Sequence, residues 1–209
     1  RPAGDSIPVI PVPPALQRAA DEIDGWLDLR CPERALDLLA PLLDDPLGRP
    51  AGLTMRIRAR ARLGQYQAAL ADLAELRAGG HLPEWVDLTE AWCRKRLADL
   101  PGAIRSLERL LARDARSDIG HFNLGCYLAL AGERQRAIDE ITVACGINDS
   151  FRDFARDEPD LDSLRNDPTF RQLMRQGERH PDDHRGPGAA GHATDDEDDE
   201  DTPPAHGLN

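Results

Sequence analysis

Two histidines and four cysteines are the residues with the most chemical reach in the helical part of this chain, and their spacing limits what they can do. His121 and Cys126 lie five positions apart on one helical stretch, so their side chains point to different faces and a thiol–imidazole pair is not supported. His180-Pro-Asp-Asp-His184 and the acidic run 195–201 could hold a divalent cation loosely. Without a rigid scaffold such a site is weak and unselective, and a solvated tail is the preferred reading. Cys31, Cys93, Cys126 and Cys145 have no CxxC spacing. Three of them sit beside apolar residues in helical patterns, where free cysteine behaves as a small hydrophobe. The expected compartment is reducing, and cytoplasmic. No GxSxG, phosphate-cradling glycine loop, HExxH or DxDxDG occurs. The reading is non-enzymatic, with no catalytic residue, no cofactor and no metal.

The charge is placed unevenly. The formal net charge is −12, and from residue 178 onward ten acids stand against two arginines, leaving about −4 on the body. A nearly neutral body with an acidic tail lacks the basic footprint that nucleic acid requires. No run of 18 apolar residues is present, so no helix is expected to span a membrane. The chain starts at Arg1 rather than Met, and a processed or missing N-terminal segment is expected. Aromatics make up only 4% of the residues, so a core must be built from Leu, Ala and Ile, which suits stacked helices.

What organises the chain is a period. Ala35, Ala69, Ala103 and Ala137 are 34 residues apart, and Leu36, Leu70, Ile104 and Ile138 follow in the same register, as do Leu39, Leu73, Leu107 and Ile141. Any amphipathic helix repeats every three or four residues. A register shared across four copies marks a repeat array. The clearest copy runs through His121–Ala144, where Leu124-Gly125 sits in a first helix, Gly132 at a turn, and Ala137 in a second helix. Gly125 and Ala137 allow the two helices to approach closely.

This period and these residue types resemble the tetratricopeptide repeat family. The resemblance implies an all-α fold, a right-handed superhelical array of antiparallel helix pairs. The implied organisation is a Pro-rich flexible arm over 1–15, four repeats over 16–149, a helical cap over 150–177 and a disordered acidic tail over 178–209. The first copy departs from the family at Arg30, where a Gly is usual, and Pro41 predicts a kink or early end in its second helix. In the cap, Asp160 is expected to begin a short helix and Asp167-Pro168 another, with Phe151 and Phe154 covering the last repeat.

The resemblance also implies a concave groove lined by fixed positions of each first helix. The first copy places Gln17, Ala20, Asp24, Leu27 and Asp28 there, and the second Ala51, Thr54, Arg58, Ala61 and Arg62. The third supplies Trp85, Leu88, Trp92, Lys95 and Arg96, and the fourth Ile119, Phe122, Cys126, Ala129 and Leu130, with Asn123 alongside. The candidate groove residues are Arg58, Arg62, Trp85, Trp92, Lys95, Arg96, Phe122, Asn123 and Cys126. Trp92 has two readings: it lines the groove in the ungapped register, or joins the core if the following turn holds two extra residues. The clamp by which some family members hold chaperone tails is absent, since Ala20, Asp24 and Met55, or Thr54, Arg58 and Thr89 one copy on, occupy its places. The implied function is a protein-interaction scaffold binding a peptide or protein segment, an acidic one being favoured by the basic middle. The acidic tail itself could occupy the groove. Alternatives are a packing subunit using an end or convex face, and a factor with an unseen enzymatic or metal-dependent site. The partner, the oligomeric state and the pathway stay open.

Overall fold

The computed structural model describes residues 10–81 and 83–175, and the described residues fall into two compact units, 10–115 and 116–175. The acidic tail, His180, His184 and the first nine residues of the arm lie outside the described residues. Among the described residues every regular element is helical.

The first unit holds α1 (Gln17–Asp28), α2 (Pro32–Asp37), α3 (Ala40–Asp44), α4 (Arg49–Arg62), α5 (Tyr66–Ala78), α6 (Glu84–Arg96) and α7 (Leu100–Arg113). The second holds α8 (Asp118–Leu130), α9 (Arg134–Ile147), α10 (Phe151–Asp157), a 3-10 helix at Pro159–Leu164 and α11 (Pro168–Arg175). Pro41 acts as expected: the second helix of the first copy breaks at Leu38-Leu39, and Pro41 lies in the first turn of α3, where its missing N–H costs little. The arm is not free of structure throughout. Pro14–Leu16 forms a 3-10 turn, and Val12 and Leu16 pack on the core of the first copy.

The repeat is written in the backbone. Arg30, Gly64, Ala98 and Gly132, each 34 residues after the last, all have positive φ, between 56° and 79°. At each one the same pair of hydrogen bonds closes the preceding helix. Cys31, Gln65, Asp99 and Glu133 donate to the carbonyls of Trp26, Arg60, Arg94 and Leu128, while the positive-φ residues donate three residues back. This is the Schellman arrangement, which satisfies carbonyls left unpaired at a helix end. Arg30 and Ala98 hold it without being glycine, at a steric cost of about 1–2 kcal/mol each. Arg30→Gly and Ala98→Gly should each therefore raise stability by about 1 kcal/mol, read as a Tm higher by a few degrees. A Tm that falls would show that these turns are not strained.

Ala35, Ala69, Ala103 and Ala137 are all 0% exposed, and the core is made as its composition requires. Ile23, Leu27, Leu39 and Leu42 form one cluster with Ala35 and Ala59. Leu53, Ile57, Leu73, Leu76, Val86 and Trp92 form another. In the second unit Gly125 meets α9 so closely that a Cβ there would lie 2.7 Å from Ile141 and 3.1 Å from the Ala137 carbonyl oxygen.

The end of the second unit departs from expectation in one detail. Glu158, not Asp160, caps the Pro159–Leu164 turn, its carboxylate accepting the Asp160 N–H at 3.2 Å. Asp160 is instead buried at 8% exposure. Asp167 begins α11 as expected, accepting from the N–H groups of Thr169 at 2.8 Å and Phe170 at 3.3 Å.

Candidate functional site

The sequence-predicted groove residues separate between the two units. In the first unit α1, α4 and α6 present residues at matching repeat positions: Asp24, Arg58 and Trp92 at one, and Asp28, Arg62 and Arg96 at another, one turn further on. The first two helices are joined there. Arg58 donates to Asp24 at 2.5 Å and lies 3.8 Å from Asp28, and Arg62 donates to the Leu27 carbonyl. Arg58 is thus engaged by carboxylates one repeat earlier, and Arg62 by a backbone carbonyl there. Asp24 and Asp28 keep 48% and 76% of their side chains exposed.

Trp92 resolves its two readings in an unexpected way. The turns at Gly64 and Ala98 are 34 residues apart, so the register is ungapped and the turn holds no extra residues. Trp92 nevertheless packs with the core cluster at 7% exposure, its ring edge-on to Tyr66 at 5.3 Å. The Arg96 guanidinium lies over the same ring at 5.2 Å, a cation–π contact. Trp85 is half-buried against that cluster, and Lys95 is likewise half-buried.

The fourth copy is different. Phe122, Asn123 and Cys126 are buried inside the second unit, at 1%, 2% and 0% exposure. Phe122 stacks on Phe151 of α10 with ring centroids 4.8 Å apart, and the Pro159–Leu164 turn packs on α8. Phe154, by contrast, is 38% exposed.

Sequence reading missed a charged cluster on α6. Asp87 is wholly buried and bonded to Arg77 at 2.8 Å and Arg109 at 3.0 Å, with Arg113 also bound. Glu90 receives Arg77 at 2.6 Å, Arg109 at 2.8 Å and Arg94 at 3.1 Å. Arg94 also reaches Asp99 at 2.7 Å. The cluster ties α5, α6 and α7 together. Arg94 and the Gly102 N–H hold the Asp99 carboxyl below its ordinary range. At the place of Asp87 the neighbouring copies have Leu53 and His121, and at that of Glu90 they have Arg56 and Leu124, so the apolar pattern does not mark these two positions. The available signal was their spacing of three, opposite arginines spaced by four.

Burial pushes the Cys93 thiol up to about 12 and the Cys145 thiol up to about 11; such thiols are unreactive. Two clefts, of about 550 and 510 Å³, occur at matching repeat positions of the first unit. One is lined by Leu70, Ala71, Arg94 and Asp99, the other by Leu36, Asp37, Arg60 and Gln65. Their arginines already hold carboxylates, Arg94 as above and Arg60 on Asp72 at 2.5 Å. Among the described residues no helix is long and apolar enough to cross a membrane.

No protein-family model matches the sequence, and no curated protein does. Solved structures do match. A double mutant of MamA, from RS-1, superposes with a TM-score of 0.62 at 15% identity, over 80% of this chain and 99% of that one. YrrB, a tetratricopeptide protein described as having an unusual peptide-binding site, superposes with a TM-score of 0.60 at 12% identity, over 78% of this chain and 90% of that one. With the 34-residue turn register, these likenesses establish that the chain has the helix-pair fold of the tetratricopeptide repeat proteins.

Proposed function

We propose that this protein is a non-enzymatic interaction module whose first-unit face, built from α1, α4 and α6, binds an extended segment of a partner protein. In this reading the repeats span 16–149 and the segment 150–177 closes the array. The observation that carries it is the alignment of Asp24, Arg58 and Trp92, and of Asp28, Arg62 and Arg96, at matching positions of three successive first helices. Such a row offers charged side chains along a line, which suits an extended chain better than a compact small molecule. The peptide-binding site described for YrrB supports the class of partner. Phe122, Asn123 and Cys126 serve the interior of the second unit in this reading and do not contact the partner.

A peptide array probed with the full chain tests this. Peptides that bind should lose at least tenfold in affinity on Arg96→Glu or Asp28→Lys, both exposed substitutions that leave the melting temperature within a few degrees. Binding indifferent to both, or no binding at all, would overturn the assignment of this face.

A second reading attaches to the second unit. Val143 and Ile147, one turn apart on α9, are 42% and 41% exposed, and exposed apolar side chains on one stripe suit packing in a larger assembly. If that face is used, Val143→Asp should lower the apparent mass in solution.

A further inference from the structure

The solvent side of α9 carries a row that earlier copies lack. Asp139, Val143 and Ile147 follow one another at four-residue spacing, so they lie along one side of the helix, each about 6 Å further along its axis. All three are exposed, Val143 at 42% and Ile147 at 41%. In the third copy the places of Val143 and Ile147 belong to Arg109 and Arg113, which bond to the buried Asp87. In the second they belong to Glu75 and Gly79. The apolar pair is not needed to hold α9 in its unit either, because the helix buries Ala137, Ile138, Ile141, Ala144 and Cys145 instead.

The acid that heads the row is not balanced within the chain. Asp139 accepts from the Gln135 amide at 2.9 Å, and among the described residues no cationic side chain bonds to it. Arg136, three residues before it, is turned to Glu133 at 2.5 Å, and Glu140 is held by His121. Residues 116–175 as a whole carry eight arginines against eleven Asp and Glu, a net −3. Two exposed apolar side chains beside an unmatched carboxylate suit a partner that is apolar and basic. A second copy would set one net negative unit against another, which complementarity disfavours.

The row follows one helix axis, unlike the face of the first unit, which crosses three helices. A partner helix repeats the same step at i and i+4 and satisfies its own backbone groups, so it can lie along such a row. Packed helices are about 8–10 Å apart, within reach of a lysine or arginine side chain. We infer that this row binds an amphipathic, basic helix of a partner protein. Two of its apolar residues, four apart, sit on Val143 and Ile147, and a Lys or Arg one turn away meets Asp139. This rests on the second reading above, in which the α9 face packs on another chain.

Three helix-forming synthetic peptides titrated into the full chain by fluorescence anisotropy test this. One carries two leucines four apart with a lysine four residues to either side, one has glutamates in place of the lysines, and one keeps the lysines but replaces the leucines with glutamine. The first should bind at least fivefold tighter than either of the others at low salt, and its advantage over the glutamate peptide should shrink at moderate salt. Asp139→Lys should reverse the preference between lysine and glutamate peptides. Val143→Ser should remove binding of the first peptide, whereas Leu47→Ser, at an exposed leucine of the first unit, should not. Circular dichroism confirms that the variants are folded. Equal binding of the lysine and glutamate peptides, lost with Val143→Ser, would overturn the basic assignment and leave the apolar face in use. An apparent mass of the chain alone that falls on Val143→Asp would give the face to a second copy, overturning the partner helix but not the packing reading. If no peptide binds and that mass is unchanged, both fall.

Discussion

Gly125→Leu is expected to lower the stability of the second unit by about 3 kcal/mol. Overpacking a filled site ordinarily costs about 1–3 kcal/mol, and this one offers little room to yield. A Cβ at Gly125 would meet Ile141 Cδ1 and Cγ1 at 2.7 Å and the Ala137 carbonyl oxygen at 3.1 Å. Ile141 could shift its rotamer, but the backbone oxygen of α9 cannot move without separating the helices. Gly146, later on the same helix, is a matched control. A Cβ there meets nothing within 4 Å, so Gly146→Ala should raise stability by about 0.5–1 kcal/mol through helix propensity. Urea unfolding followed by circular dichroism reads both. If Gly125→Leu melts like the unaltered protein, the close approach of α8 and α9 is wrong, and with it the helix-pair geometry of the fourth copy.

The second large effect is expected at the closing segment. Phe151 is 2% exposed and stacks on Phe122 at 4.8 Å. Truncating such a phenylalanine removes its burial and leaves a cavity, at a cost of about 3–5 kcal/mol. Phe154, 38% exposed and 5.8 Å from Phe151, should cost far less when replaced by alanine. Hydrogen exchange across α8 and α9 is a suitable readout, because it reports on this unit directly. Phe151→Ala should speed exchange throughout both helices, whereas Phe154→Ala should not. Equal effects would show that residues 150–175 do not close the last helix pair.

Much of this architecture was legible because a repeat writes the same requirement four times. The alanines at 35, 69, 103 and 137 mark where helices touch, and all four are buried without remainder. Gly64 and Gly132 announced their turns. Arg30 did not, because it does not favour positive φ, yet the period placed the turn there; Ala98 stayed hidden because the third copy's register was open. The third copy hid its packing because Asp87 and Glu90 are buried carboxylates whose solvation is replaced by four arginines from three helices. An apolar pattern cannot reveal a core position that charge has taken over. Trp92 was ambiguous for a related reason: it keeps the ungapped register and is buried all the same, against Tyr66 and beneath Arg96.

The candidate face was less legible than the fold. Its basic residues could be read from the sequence, but their pairing required knowing that Asp24 and Arg58, 34 residues apart, stand side by side. Phe122, Asn123 and Cys126 have the right repeat positions for a groove, but the segment after the last repeat folds onto their helix and encloses them. Position within a repeat tells which way a side chain faces, not what the chain later lays over it.

The most direct test of the central claim is hydrogen–deuterium exchange on the full chain, with and without a saturating array-selected peptide. Slower exchange confined to α1, α4 and α6 is the predicted result. Protection that falls instead on α5 and α7, or on the second unit alone, would contradict it.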